Sequence, residues 1–248
     1  MSAVLVAGGA TGIGAEVVRA LRERGDDVVL VDHNAEEGRS IMTADGPGRG
    51  WFVEADLATA DAPQRAVERA AELLDGSLDA VFYNAGVLSA HPLREWTVEE
   101  WDRSIAVNLR APLFMVQAAA PMLASSDRGR VVLTSSTGAL RGHAGMPAYH
   151  ASKAGVLGLV RALADELGPS GVTVNALCPG WVDTRFNDTF WGHQDDPGGA
   201  LAALEAGIPL RRQAHPREIV GTVLYLLSDA ASYVTGHALV IDGGYTAV

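Results

Sequence analysis

The chain has 248 residues, 48% hydrophobic and 20% charged, ordinary globular proportions that exclude intrinsic disorder. Its 19 basic against 30 acidic residues give a formal net charge of −11, which argues against general binding to nucleic acid or to an anionic membrane. The single cysteine, Cys178, excludes an internal disulfide and a cysteine-rich zinc site, and it suits a reducing compartment.

No targeting segment is read at the start, where Met1 and Ser2 lead into an apolar run with no basic stretch. The most apolar stretch, residues 111–124, is interrupted by Pro112, Gln117 and Pro121. It falls short of the roughly 20 apolar residues that a membrane span needs. A soluble, cytoplasmic protein is expected.

Short runs that are apolar at almost every position recur at residues 3–7, 28–31, 51–53, 78–83, 130–134, 172–177 and 238–241. They are too short for helices and read as strands buried on both faces. Longer segments with helical spacing lie between them, such as Val17, Val18 and Leu21, or Ile219, Val223, Leu226 and Leu227. This alternation predicts an α/β fold: a single-domain, doubly wound parallel sheet of about seven strands with helices on both faces. Residues 179–216 break the pattern, being rich in Gly, Pro, Asp and aromatics. Too long for an ordinary connection, this stretch predicts a substrate lid over about residues 183–215.

The first strand runs into Gly8, Gly9, Ala10, Thr11, Gly12, Ile13 and Gly14, and a helical pattern follows. Glycines let the backbone approach a pyrophosphate, and the helix N-terminus offers free N–H groups and the positive end of its dipole. Asp32 ends the second strand, where a carboxylate can accept hydrogen bonds from an adenosine ribose and would repel a 2′-phosphate. Two charges about 4 Å apart in a surface-like dielectric interact by roughly 4 kcal/mol, enough to favour NAD over NADP. A turn or helix-cap role for Asp32 is the alternative. No Arg or Lys follows before Arg39.

Tyr149 and Lys153 stand four residues apart in a helical pattern that runs to about Leu167, which puts them on one helix face. A tyrosine with a pKa of about 10 is a poor base near neutrality. One ammonium about 4 Å away could lower that by about 3 units.

Taken in order, Gly8, Gly12, Gly14, Asp32, Asp56, Leu57, Asn84, Ala85, Gly86, Asn108, Ser136, Tyr149, Lys153, Pro179, Gly180 and Thr184 make the sequence resemble a short-chain dehydrogenase/reductase. The resemblance spans nearly the whole chain and implies a Rossmann fold. It also implies hydride transfer between nicotinamide C4 and a secondary alcohol or ketone. On that resemblance Tyr149 exchanges a proton with the substrate oxygen. Lys153 lowers its pKa and binds the nicotinamide ribose, and Ser136 holds the substrate oxygen. Ser135 competes with Ser136, but the family's spacing to the tyrosine selects Ser136. Asn108 would join a water-linked proton relay through its carbonyl. Pro112, which has no N–H to give to that carbonyl four residues earlier, is expected to help free it; a harmless kink is the competing reading.

The resemblance further assigns Gly8, Thr11, Gly12, Ile13, Gly14 and Asp32 to the cofactor, with Asp56, Leu57 and Val107 at the adenine. Asn84, Ala85 and Gly86 flank the cofactor, and Pro179, Gly180, Val182 and Thr184 hold its nicotinamide end. Candidate substrate residues are Leu88, Ser136, His143, Met146, Tyr149, Phe186, Phe190 and Trp191. The aromatics suggest a neutral or hydrophobic substrate, and each could equally pack the lid down. No metal is expected. Two positions depart from the family pattern: Ala7 stands where a threonine is usual, and Tyr83 where an asparagine is usual. Losing those hydrogen bonds would cost about 1 kcal/mol each and loosen the loops unless something compensates.

Family members are typically tetramers, pairing helices near residues 97–122 and 149–168 and segments around the last strand. The surplus of apolar positions over residues 111–124 and 154–160 fits a D2 homotetramer. The alternatives are an NADPH-dependent ketoreductase of the 3-oxoacyl type and a dinucleotide-binding sensor without turnover.

Overall fold

Strands that are apolar at successive positions cannot hide every side chain on one face, so both faces of the sheet must be covered. The computed structural model describes residues 2–43 and 46–248. Its strands are β1 (Ala3–Ala7), β2 (Asp27–Asp32), β3 (Gly50–Glu54), β4 (Ala80–Tyr83), β5 (Arg130–Thr134), β6 (Thr173–Pro179) and β7 (Ala238–Ile241). All are parallel and form one seven-stranded sheet in the order β3-β2-β1-β4-β5-β6-β7. The helices are α1 (Gly12–Arg24), α2 (Ala35–Thr43), α3 (Ala62–Leu73), α4 (Val98–Ile105), α5 (Ala111–Ser125), α6 (Pro147–Leu167), α7 (Asp188–Gly192), α8 (Pro197–Gly207) and α9 (Arg217–Leu226).

Alternate strand residues part to opposite faces. Leu5, Val29, Val81, Val131 and Val174 pack beneath α3, α5 and α6, against Val67, Met115 and Val160. Val4, Val6, Val28, Leu30 and Phe82 pack beneath α1 and α9, against Val18, Leu21, Ile219 and Val223. This is the doubly wound α/β sheet that the alternation predicted. The fourth strand begins later than its apolar run, at Ala80. Asp79 instead accepts the Ala3 N–H on Oδ2 and the Ser126 hydroxyl on Oδ1, so its side chain serves the start of β1.

The strand order reverses at β1, which pairs with β2 on one side and β4 on the other. A crevice opens beyond the carboxyl ends of the strands at such a reversal. The long stretch after β6 is clamped at its base: the Ala214 N–H donates to Trp181 O and the Asp183 N–H to Ala214 O, each at 2.9 Å. Between these points it holds α7 and α8, and Asp196 caps α8 by accepting the Gly199 N–H at 3.0 Å. Among the described residues, no helix is long and apolar enough to cross a membrane.

Candidate active site

The glycine turn is built by close contact. A Cβ on Gly8, where φ is +77°, would lie 2.3 Å from the Ala85 nitrogen, and one on Gly14 would lie 2.0 Å from the Gly8 oxygen. No larger residue fits either place. Helix α1 opens at Gly12 with Thr11 extended, no side-chain cap hydrogen bond and no acid in its first turn. Its leading N–H groups are therefore left to a ligand, which fits the phosphates of a dinucleotide.

Asp32 accepts the Ala10 N–H on Oδ2 and the Asn34 N–H on Oδ1, each at 3.0 Å. It thus anchors the glycine turn and still lines the cleft, so the turn role and a place on the cleft wall coexist. Asp56 accepts the Ala58 N–H at 3.0 Å and faces Arg103 at 3.6 Å, with buried Leu57 beside it.

Beyond β4, Asn84 Nδ2 donates to Gly8 O at 2.9 Å, and Thr134 Oγ1 donates to Asn84 Oδ1 at 3.2 Å. The Asn84 and Ala85 N–H groups both donate to Ala7 O, at 2.8 and 2.9 Å. The main chain therefore makes the tie that the missing threonine at Ala7 was expected to cost. Tyr83 is compensated as well, since its buried hydroxyl donates to Val107 O at 2.7 Å. The expected loosening of these loops is not found at either position.

At the catalytic end, Ser135 Oγ donates to the Lys153 carbonyl at 2.7 Å and is spent inside the fold. Ser136 Oγ accepts the Gly138 N–H at 2.9 Å, which leaves its own proton to give. Tyr149 and Lys153 both line the cleft from α6. The Lys153 ammonium lies 5.7 Å from the Tyr149 ring centre and donates to Thr134 O at 2.8 Å. Burial pushes the Tyr149 phenol up to about 12, with the Ser136 hydroxyl pulling the other way. Burial also pushes Lys153 down to about 8. The sequence expectation that Lys153 lowers the tyrosine pKa is therefore not met in this structure. The ammonium turns to the Thr134 carbonyl, and desolvation is the largest influence on the phenol.

Asn108 is buried off the cleft wall. Its Oδ1 accepts the Val87 N–H at 2.8 Å, and its Nδ2 donates to Val87 O at 2.9 Å and to Ser152 Oγ at 3.1 Å. It sits in a π-helical turn, Ala106–Arg110, that joins α4 to α5.

At the substrate end, Leu88, Met146, His143 and Phe186 line the cleft. The Phe186 ring centre lies 6.0 Å from that of Tyr149. His143 stacks between His150 and Tyr245, with its Nε2 3.0 Å from the Tyr245 hydroxyl. Burial, with His150 and Arg141 nearby, holds its pKa below the usual histidine value. Phe190 and Trp191 correct the sequence reading. They pack against Trp181, at 4.9 and 5.2 Å between ring centres, with Ile208 and Tyr245, and do not line the cleft. The lid half-buries these two rings against Trp181 to hold itself down.

The cleft encloses about 630 Å³. Gly8, Thr11, Gly12, Ile13, Asp32, Asp56, Leu57, Asn84, Ala85, Gly86 and Val107 line it, as do Ser136, Tyr149, Lys153, Pro179, Gly180, Val182 and Thr184. Gly14 supports the turn from behind. Sequence reasoning missed Trp181, His150 and Tyr245. His150 follows Tyr149 directly and could have been read from that adjacency. Its Nε2 accepts the His143 N–H at 2.8 Å while its Nδ1 bonds Gly138 O at 2.7 Å, which stiffens the loop before α6. Tyr245, far along the chain, carried no local signal.

The family model described as enoyl-(acyl carrier protein) reductase matches residues 8–246. A probable galactose dehydrogenase of Rhizobium meliloti (strain 1021) is 35% identical over 244 residues, covering 97% of this chain and 93% of that protein. A D-threitol dehydrogenase of Mycolicibacterium smegmatis is 36% identical over 244 residues, covering 98% and 92%. A solved short-chain dehydrogenase/reductase from Serratia marcescens BCRC 10948 superposes with a TM-score of 0.88 at 34% identity, over 98% of this chain and 97% of that one.

Proposed function

The chain belongs to the short-chain dehydrogenase/reductase family, oxidoreductases of alcohols and ketones that bind a nicotinamide dinucleotide, and we propose that its dinucleotide is NAD and its proton carrier Tyr149. One observation carries the reading: Tyr149 and Lys153 open from one face of α6 into the cleft that also holds the uncapped start of α1. The bound dinucleotide supplies the hydride acceptor or donor at its nicotinamide carbon. This chain's residues do the rest. Ser136 donates a hydrogen bond to the substrate oxygen and keeps its proton, and Tyr149 gives or takes the one proton that balances the hydride. Lys153 holds the ribose, and Asn108 links the site to water through its carbonyl.

Asp32 supports NAD. Its carboxylate, already fixed by two N–H groups, would meet a 2′-phosphate at close range. A neutral secondary alcohol suits the Leu88, Met146 and Phe186 wall, and His143 offers one polar contact. Two relatives carry the names of a sugar and a polyol, galactose and D-threitol, which are neutral alcohols. We place the protein in the cytoplasm, where its one buried, free cysteine would stay reduced. Residues 183–215 act as the lid of a single catalytic domain.

The test is a panel of cyclic, aromatic, aliphatic and polyhydroxylated secondary alcohols assayed with NAD and with NADP. Turnover with NAD at least about tenfold better than with NADP is expected. Tyr149→Phe should lower turnover by at least about 10³-fold while NAD affinity stays within about tenfold, because a lost proton carrier acts on the transition state. NADP preference would favour the ketoreductase reading. Binding of NAD with no turnover of any alcohol would favour a sensor.

A further inference from the structure

We propose that Tyr83 is a positioning residue whose hydroxyl locks the π-turn before α5 and thereby holds Asn108 beside Lys153. The proposal rests on the reading of Tyr149 and Lys153 as the reacting pair.

The argument starts from main-chain donors. Over Ala106–Arg110 the helix widens, and the Ala111 N–H donates to Ala106 O, five residues back. In an α-helix that N–H would have gone to Val107 O. The next amide in the wider register belongs to residue 112, which is proline and has none. Ala111 and Pro112 therefore both leave the Val107 carbonyl without a donor, inside a residue only 5% exposed. An unpaired carbonyl at such depth is costly. Tyr83, at the end of β4 and 2% exposed, supplies the missing donor at 2.7 Å. Proline at 112 and tyrosine at 83 are thus a matched pair from two distant parts of the sequence. Burial keeps the Tyr83 phenol protonated, as a donor must be.

The turn also carries Asn108, and through it reaches α6. Asn108 grips the Val87 N–H and C=O and the Ser152 hydroxyl, and Ser152 Oγ donates in turn to the Tyr149 carbonyl at 2.8 Å. A Cβ on Gly86 would lie 3.4 Å from Asn108 Oδ1 and 3.5 Å from Lys153 Nζ. Asn108 Oδ1 and the Lys153 ammonium thus border the same small space beside Gly86, so a rotation of the turn changes the wall that Lys153 meets. Single π-turns are costly and are kept where function needs them.

The experiment uses the full chain carrying Tyr83→Phe, Pro112→Ala, or both. Each is compared with the unaltered chain by steady-state kinetics, thermal unfolding, and amide hydrogen exchange over residues 106–113. Tyr83→Phe should lower kcat at least about tenfold with KM for alcohol and for NAD within about threefold, since positioning acts on the reacting geometry. Its Tm should fall by about 4 °C, and exchange in the turn should quicken. Adding Pro112→Ala restores an N–H and lets the helix close in the α register. The double variant should therefore recover Tm but not kcat. A kcat within twofold of the unaltered chain in Tyr83→Phe, or recovery of kcat together with Tm in the double variant, overturns the proposal. Should Tyr83→Phe fail to fold, Pro112→Ala alone decides: its kcat should fall while its Tm holds, and an unchanged kcat is the contrary result. A failure of the catalytic reading shows separately, as no turnover by the unaltered chain. Unchanged exchange of the turn in Tyr83→Phe then still rejects the role given to Tyr83.

Discussion

At Tyr149 and Lys153 burial is the largest influence on both groups, raising the phenol and lowering the ammonium. With Tyr149 near 12, the phenol is protonated across the physiological range, ready to donate in ketone reduction and scarce as a base for alcohol oxidation. Alcohol oxidation should therefore rise about tenfold per pH unit through the alkaline range, while reduction stays flat; parallel pH–rate profiles check this. Lys153 has its own consequence. Its folded pKa of about 8 lies below its value of 10.5 in an unfolded chain. The unfolded chain binds more protons between those values, so stability rises with pH across that window. Below pH 8 the buried ammonium costs the fold about 3 kcal/mol. Lys153→Met removes that cost at the loss of one hydrogen bond to Thr134 O. Without added cofactor at pH 7, the variant should melt about 4 °C higher than the unaltered chain and lack its turnover. A lower melting temperature would show that the charge is better solvated than its burial implies.

Elements were legible where their cause is local. All seven strands were readable as short apolar runs, and the Pro147–Leu167 helix from the spacing around Tyr149 and Lys153. The glycine turn was readable because its steric demand is written in its residues. That demand is specific to position. Gly14→Ala would drive a Cβ to 2.0 Å from Gly8 O, whereas a Cβ on Gly221 in α9 would meet nothing within 4 Å. Gly14→Ala should weaken dinucleotide binding at least about a hundredfold, measured by titration calorimetry. Gly221→Ala should raise Tm by about 2 °C and leave binding untouched, because it trades only unfolded-chain freedom for a helix former. The lid was legible as a long exception but not in its interior. Phe186, Phe190 and Trp191 share a composition, and only packing against Trp181 separates the ring that faces Tyr149 from the two that hold α7 down.

On the scale of the whole molecule, the charge of −11 coexists with an anion-ready helix start, because local N–H groups act over a turn and net charge acts through screened solvent. Helices α4 and α5 leave Trp101 and Phe114 each 40% exposed, and Tyr233 stands clear before β7. These faces fit the homotetramer proposed from the sequence, in which they would be covered. Sedimentation at micromolar concentration should give the mass of a tetramer. Phe114→Glu, placing a charge in that contact, should shift it to a smaller species. A monomeric mass for the unaltered chain would remove the proposal.

Periodicity and steric need act between neighbours in the chain. For that reason the amino-acid order alone was enough for the doubly wound sheet, the tight glycine turn before α1 and the placing of Tyr149 and Lys153 on one helix face. Three-dimensional packing settled the direction in which burial moves the Tyr149 and Lys153 pKa values, which lid rings reach the cleft, and how Tyr245 comes to His143. It also supplied the donor for the Val107 carbonyl, from a tyrosine 24 residues away. Such outcomes depend on depth from water and on partners far apart in sequence, and neither is encoded in local spacing.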